Sequence, residues 1–196
     1  NEKSNLPAVC GRVCPHEKQC EGHCILNKKG KRIRVGKLER FIADFDSNMG
    51  LIREKLTSKT RGKVAVIGSG PAGLTVAGDL ARNGFNVTIY ESEPEAGGVL
   101  MYGIPEYRLP KEVVRKEIRK IEGLGVTYVT NCIVGQTITI DEMFDQQSFD
   151  AIFIGSGTAK PKTMDIPGCT LRGIIQSSYF LRIVALNNSG SVGRNE

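Results

Sequence analysis

Within residues 37–56 the apolar side chains Leu38, Phe41, Ile42, Phe45, Met49, Ile52 and Leu56 recur at steps of three and four, which places them on one stripe of an α-helix. The stripe predicts an amphipathic helix, kinked at Gly50, that links two parts of the chain. Residues 57–63 are polar and read as a short linker, after which the period changes. Residues 64–67 are a short apolar run, residues 71–82 read as a helix with Gly84 as its C-cap, and residues 86–91 alternate apolar and polar and end on an acid. Strand, helix and strand within about thirty residues is the size of a βαβ unit. Residues 111–124 read as a charged helix with Val113, Val114, Ile118 and Ile121 on one side, 126–129 and 150–154 as strands, and 177–186 as a last helix. Alternating strands and helices predict an α/β layer architecture with a largely parallel sheet. Residues 1–35 show no sustained period, so that segment is expected to have little core of its own and to be organised by a cofactor.

A chain of 196 residues suits one main domain and a small one, and its 40% hydrophobic and 24% charged content is that of a globular protein. No apolar run approaches the ~20 residues of a membrane span, and no secretory pattern opens the chain. The abrupt ends read as those of a fragment. The net charge of +6 is concentrated in Lys28, Lys29, Lys31, Arg32, Arg34, Lys37 and Arg40. That run reads as a solvated face, with docking of an acidic electron-transfer partner or compensation of a thiolate-ligated cluster as the other readings. Only Phe41 lies near it, so no base-stacking platform is expected and nucleic acid is not an expected partner.

Gly68-Ser69-Gly70-Pro71-Ala72-Gly73 satisfies G-x-G-x-x-G between a strand and a helix. The first glycine permits the tight turn, the second lets backbone approach a pyrophosphate, and the third lets helix and strand pack closely. Pro71 suits the first helical turn, and the free N–H groups there face phosphates. Glu91 lies at the end of the next strand, near the ~20-residue offset of a ribose-hydroxyl acceptor, and its charge disfavours a 2′-phosphate. This is the ADP-binding half of a Rossmann-like fold. FAD and NAD share that half. The continuation, an acid and then Gly97-Gly98, with a second glycine-bearing strand end at Gly155-Ser156-Gly157, resembles the two-dinucleotide-binding flavoproteins and favours FAD.

Four of the six cysteines form Cys10-x3-Cys14-x5-Cys20-x3-Cys24. Clustering without a secretory signal points to a reducing, cytoplasmic compartment and to metal ligation. Cys14-Pro15 resembles the Cys-Pro that closes ferredoxin-type runs. An iron–sulfur cluster is the preferred reading, with structural zinc and a disulfide pair as the alternatives. His16 and His23 read as loop histidines, and Cys132 and Cys169 as structural. No nucleophile or acid–base side chain stands out, so no catalytic residue is assigned.

Residues 6–15 (LPAVCGRVCP), the glycine fingerprint, and residues 102–111 (YGIPEYRLPK) together resemble the NADPH-dependent glutamate synthase small (beta) subunit family. That family includes the large subunit of ferredoxin:NADP transhydrogenases and the N-terminal part of dihydropyrimidine dehydrogenase. The resemblance implies that residues 1–56 are the C-terminal part of an α-helical iron–sulfur domain, and residues 57–196 the first part of a Rossmann-like FAD-binding domain. It implies FAD contacts at Gly68 to Gly73, Glu91, Ser92, Gly98, Val99, Leu100, Arg108 on the diphosphate side, Val134 near adenine, and Gly155, Ser156 and Gly157. It also implies that Cys24 completes one 4Fe–4S cluster while Cys14 and Cys20 belong to a second, with Glu39 near an oxygen-ligand position and Cys10 the fourth cysteine of the run. The family's upstream cysteine motif is missing here. The implied activity passes electrons from NADPH through FAD to the clusters and on to a partner, a glutamate synthase large subunit or a ferredoxin-type acceptor. NADPH is expected only in the full-length protein, and this chain is not expected to complete turnover alone. A zinc-knotted ADP- or FAD-binding adaptor and a pyridine-nucleotide disulfide reductase-like enzyme are the rival readings.

Overall fold

The computed structural model describes residues 4–50, 56–158, 161–162 and 164–188. Two helices precede the sheet, α1 (Pro7–Val13) and α2 (Val35–Met49), with short 3-10 turns at His16–Lys18 and Ile25–Lys29 between them. Then come β1 (Lys63–Ile67), α3 (Pro71–Arg82), β2 (Asn86–Tyr90), α4 (Val99–Tyr102), α5 (Lys111–Glu122), β3 (Thr127–Val129), α6 (Ile140–Asp145), β4 (Ala151–Ile154) and α7 (Ser177–Asn188). The four strands form one parallel sheet in the order β3-β2-β1-β4, with Val64 opposite both Val87 and Ala151. The expected α/β class and parallel sheet are present.

The chain leaves β1 toward β2 on one side, and β4 lies on the other. The space between the carboxyl ends of β1 and β4 is therefore a topological switch point, where open α/β sheets bind ligands. The main core lies between the sheet and α3 and α5, with Leu74, Ile89, Leu109 and Ile121 fully enclosed. A second cluster of Ala65, Tyr90, Cys132, Met143 and Phe149 fills the opposite face. Burial of Cys132 there agrees with a structural role. Among charged side chains, Glu117 is enclosed to 1% exposure.

Three expectations change. Of the helix expected over residues 37–56, α2 ends at Met49, where Gly50 takes a left-handed φ of 61° and caps it; the expected continuation beyond Gly50 falls on residues 51–55, which lie outside the described residues. The stripe of that helix faces outward: Leu38, Phe41, Ile42, Phe45 and Met49 are 47–65% exposed. Its small face is the buried one, because Ala43 and Gly36 let α2 approach α1 and the loop after it; a Cβ on Gly11 of α1 would stand 2.6 Å from the Arg40 backbone nitrogen. Finally, Asn83 rather than Gly84 is the C-cap of α3, and Gly84 follows it with φ 86°. Three helices had no periodic signal to reveal them. α1 is seven residues and α4 only four, and α6 rests on a capping box in which Thr139 and Glu142 exchange hydrogen bonds.

Candidate functional site

β1 delivers the chain into the glycine loop. Gly68 has φ 94°, a conformation that L side chains rarely adopt, and a Cβ there would meet the Gly155 carbonyl oxygen at 2.6 Å. The loops after β1 and β4 are thus packed backbone to backbone at the switch point. At Gly73 a Cβ would fall 1.9 Å from the Gly68 carbonyl oxygen, so α3 touches the turn directly. Gly70 differs: a Cβ there would meet nothing within 4 Å. Two of the three glycines are needed by the fold, and the second faces open space at the head of α3, beside exposed Pro71 and Ala72. First-turn N–H groups of a helix have no partner within the helix, and the helix dipole adds positive potential there. The residues fit a pyrophosphate at this place.

Glu91 closes the site from β2. Its side chain is 5% exposed, and its Oε2 accepts from the Ser69 backbone N–H at 2.9 Å and from the Ser69 hydroxyl. Its Oε1 accepts from the Ser92 hydroxyl at 3.1 Å and the Glu93 N–H at 2.9 Å. The buried Ser69 hydroxyl in turn accepts from Gly97 N–H at 2.9 Å. Fingerprint, acid and Gly-Gly pair therefore form one network. Gly98 completes it with φ 51°, lying so near the loop that a Cβ would be 2.8 Å from Gly70 Cα.

The segment of residues 92–98 is held by groups that no local motif announces. Arg115 of α5 makes a two-pronged ion pair with Glu95 at 2.5 and 3.2 Å, and Arg182 of α7 does the same with Glu93 at 2.6 and 2.9 Å. Lys111 donates to the carbonyls of Leu100, at 2.8 Å, and Ile104, fastening α4. Burial pushes the Lys111 ammonium pKa down. The other expected contacts are spread around this centre. Val99 is exposed at the start of α4, Leu100 turns into the core, Arg108 is exposed on the following loop, and Val134 is half-buried beside Ile138. Ser156 and Gly157 are exposed after β4.

The cysteine segment lies against this domain: Leu6 and Val9 of the α1 region share the core with Leu74 and Ile121. All six cysteines are free. Burial raises the Cys10 thiol, helped by Glu39 and Cys14, and Cys14 is raised by burial and by the nearby Cys20 and Glu39. Cys14 thus lies within electrostatic reach of Cys10, Cys20 and Glu39. Cys24 stands in a different setting, where the backbone amides of Ile33, Leu26 and Asn27 lower its pKa. Nearby backbone amides favour the thiolate form, and four cysteines in one segment are a donor set that suits a thiolate-ligated cluster. Among the described residues no three His, Cys, Asp or Glu side chains are already arranged around a point where a metal would sit. His16 is held from both sides: its Nε2 is 2.9 Å from the Cys10 carbonyl oxygen, its Nδ1 is 3.5 Å from Cys20 Sγ, and its ring fills the space beside Gly36. The basic run is partly neutralised, since Arg32 and Arg34 flank buried Glu21 at 3.6 and 3.8 Å.

Comparison with known proteins agrees with both halves. Residues 1–51 match the family described as dihydropyrimidine dehydrogenase domain II, 4Fe-4S cluster. Glutamate synthase (NADPH) small chain of Escherichia coli (strain K12) is 40% identical over 159 residues, 81% of this chain and 33% of that protein. NAD-dependent dihydropyrimidine dehydrogenase subunit PreT of the same organism is 42% identical over 162 residues, 82% of this chain and 39% of that protein. The chain thus spans about a third to two fifths of the length of these curated relatives. Among solved structures, Mycobacterium tuberculosis FprA in complex with NADPH superposes with a TM-score of 0.56 at 22% identity, over 63% of this chain and 28% of that one, which shows the shared fold. FAD and a 4Fe–4S cluster are the cofactors of the domains matched. No helix among the described residues is long and apolar enough to cross a membrane. Residues 62–188 match the pyridine nucleotide-disulphide oxidoreductase family, and with that match covering most of its length the chain belongs to this family of oxidoreductases.

Proposed function

We propose that this chain is the flavin and iron–sulfur part of an oxidoreductase that takes electrons from NADPH through FAD to 4Fe–4S clusters and on to a partner subunit, as in the glutamate synthase small subunit. The observation that carries the reading is the shared core. The cysteine segment and the dinucleotide loop are packed on the same α3–α5 layer through Leu6, Val9, Leu74 and Ile121, so cluster ligands and flavin site belong to one body. When bound, FAD accepts a hydride as an electron pair and releases single electrons, and the clusters accept those electrons. The chain's own residues supply position. Gly70 and the head of α3 receive the pyrophosphate, Glu91 orients the ribose, and Arg115, Arg182 and Lys111 hold the loop and short helix that wall the site. Cys14 and Cys20 serve one cluster and Cys24 the other, a division supported by the different surroundings of Cys24. The nicotinamide partner is read as NADPH by resemblance, although the PreT relative is named for NAD.

Anaerobic reconstitution with iron, sulfide and FAD tests the reading. The expected protein is brown, gives an EPR signal on reduction, and loses iron when Cys14, Cys20 or Cys24 is changed to Ser. Stoichiometric zinc with no EPR signal would support the adaptor instead. Two additional thiols on reduction, titrated among Cys10 to Cys24, would support a redox disulfide.

A further inference from the structure

We propose that the Ser92 hydroxyl is a placeholder for the adenosine ribose, and that Ser69 is the positioning residue which keeps the opposite edge of the Glu91 carboxylate committed to the glycine loop. The inference rests on the FAD reading of this site. It begins with a count of lone pairs. A carboxylate accepts about four hydrogen bonds. Glu91 already accepts four: Ser69 N–H and Ser69 hydroxyl on Oε2, and Glu93 N–H and Ser92 hydroxyl on Oε1. At 5% exposure the side chain also offers almost no open surface. A ribose diol adds hydroxyl donors to an acceptor that has no place left, so a donor in the chain must leave.

The four donors differ in how easily they leave. The Ser69 N–H belongs to the packed fingerprint turn. The Ser69 hydroxyl is fully buried and is itself the acceptor for Gly97 N–H at 2.9 Å, so rotating it away would strand a buried amide. Glu93 N–H is part of a backbone tied down by the two-pronged pair between the Glu93 side chain and Arg182. Ser92 is exposed, its 3.1 Å bond is longer than the two backbone contacts, and turning about one side-chain torsion delivers its hydroxyl to water. Ser92 is the donor that yields. Oε1 is then the ribose-facing oxygen, and Oε2 is the oxygen that fixes the carboxylate to the loop. In the unloaded site the Ser92 hydroxyl keeps the buried charge satisfied, and on loading it exchanges that bond for one from the ribose. The exchange makes the affinity for a ribose hydroxyl a difference between two similar bonds.

Isothermal titration of the 196-residue chain with ADP and with 2′,3′-dideoxy-ADP tests this. The wild type prefers ADP by only a narrow margin, which Ser92→Ala widens. Ser92→Ala binds ADP about 3- to 10-fold more tightly, because the competing donor is gone, and binds the dideoxy ligand within about 2-fold of wild type. Ser69→Ala weakens ADP about 10-fold or more and brings the two ligands to similar affinity, a loss of discrimination that a general loss of fold would not produce. Weaker ADP binding by Ser92→Ala would overturn the placeholder role and make Ser92 a direct contact. An equal change for both ligands would also overturn it. Failure of the wild type to bind ADP would overturn the FAD reading of Glu91 and the inference with it, whereas ADP binding whose margin over the dideoxy ligand Ser92→Ala leaves unchanged overturns the inference alone.

Discussion

The three fingerprint glycines divide the work of the site between fold and ligand, and substitution separates the two. Gly70 has φ −68° and open space beyond its Cα, so Gly70→Ala fits the unloaded protein. Its methyl group then occupies the space in which a pyrophosphate would approach the backbone. The expected result is a melting temperature close to wild type with ADP affinity reduced about tenfold or more, a loss of at least ~1.4 kcal/mol. Gly73→Ala behaves differently, because its Cβ would lie 1.9 Å from the Gly68 carbonyl oxygen and backbone must move. Overpacking of this kind costs about 1–3 kcal/mol, so here the melting temperature itself falls. Calorimetry of the two variants checks both statements. This part of the site was legible because six consecutive residues carry it. The groups that hold the wall were not, since Arg115 meets Glu95 across 20 positions and Arg182 meets Glu93 across 89.

At the scale of elements, period reveals that a helix exists more reliably than which side of it is buried. The spacing of Leu38, Phe41, Ile42, Phe45 and Met49 correctly announces α2, yet that side is exposed and the close contact with α1 runs through Gly11 and Ala43. Two short helices can approach closely only where side chains are small, and no period in the sequence marks a small-residue contact. Gly11→Ala is expected to destabilise the protein by about 1–3 kcal/mol, because the methyl group would meet the backbone of Arg40 and not a side chain that can turn aside. Phe41→Ser, at a position 65% exposed, should stay within about 0.5 kcal/mol. Urea denaturation of the two variants orders them. A larger loss from Phe41→Ser would show that the apolar stripe is covered in solution. The strands and α3 were legible for a different reason: short apolar runs ended by glycine leave little freedom in a parallel sheet.

For the molecule as a whole, the cysteine segment is joined to the α/β layer at a buried acid. Glu117 of α5 is 1% exposed, its Oε1 takes a hydrogen bond from Lys120 at 3.1 Å, and its Oε2 has no partner among the described residues. Around it lie Arg12 and the Ala8 amide of α1, with Asp46 of α2 and Arg82 of α3 on a cavity of about 200 Å³ that Glu117 also lines. Burial raises the Glu117 pKa, and Lys120, the Ala8 amide and Arg12 offset that only in part. The sign follows from linkage. An acid whose pKa is higher folded than unfolded, where it is about 4.3, leaves stability at its full value below that unfolded pKa. Its contribution then falls as pH rises toward the raised folded value, and stays low above it. Glu112 and Glu142 act oppositely, since their lowered values make stability fall as pH drops. The wild-type profile therefore mixes both signs, and only the difference between wild type and Glu117→Gln isolates the junction. Glu117→Gln should melt higher than wild type at pH 7, with the gap closing as the pH approaches 4. A variant that melts lower at pH 7 would mean that the Lys120 pair outweighs burial, and that the junction is held together by its charge.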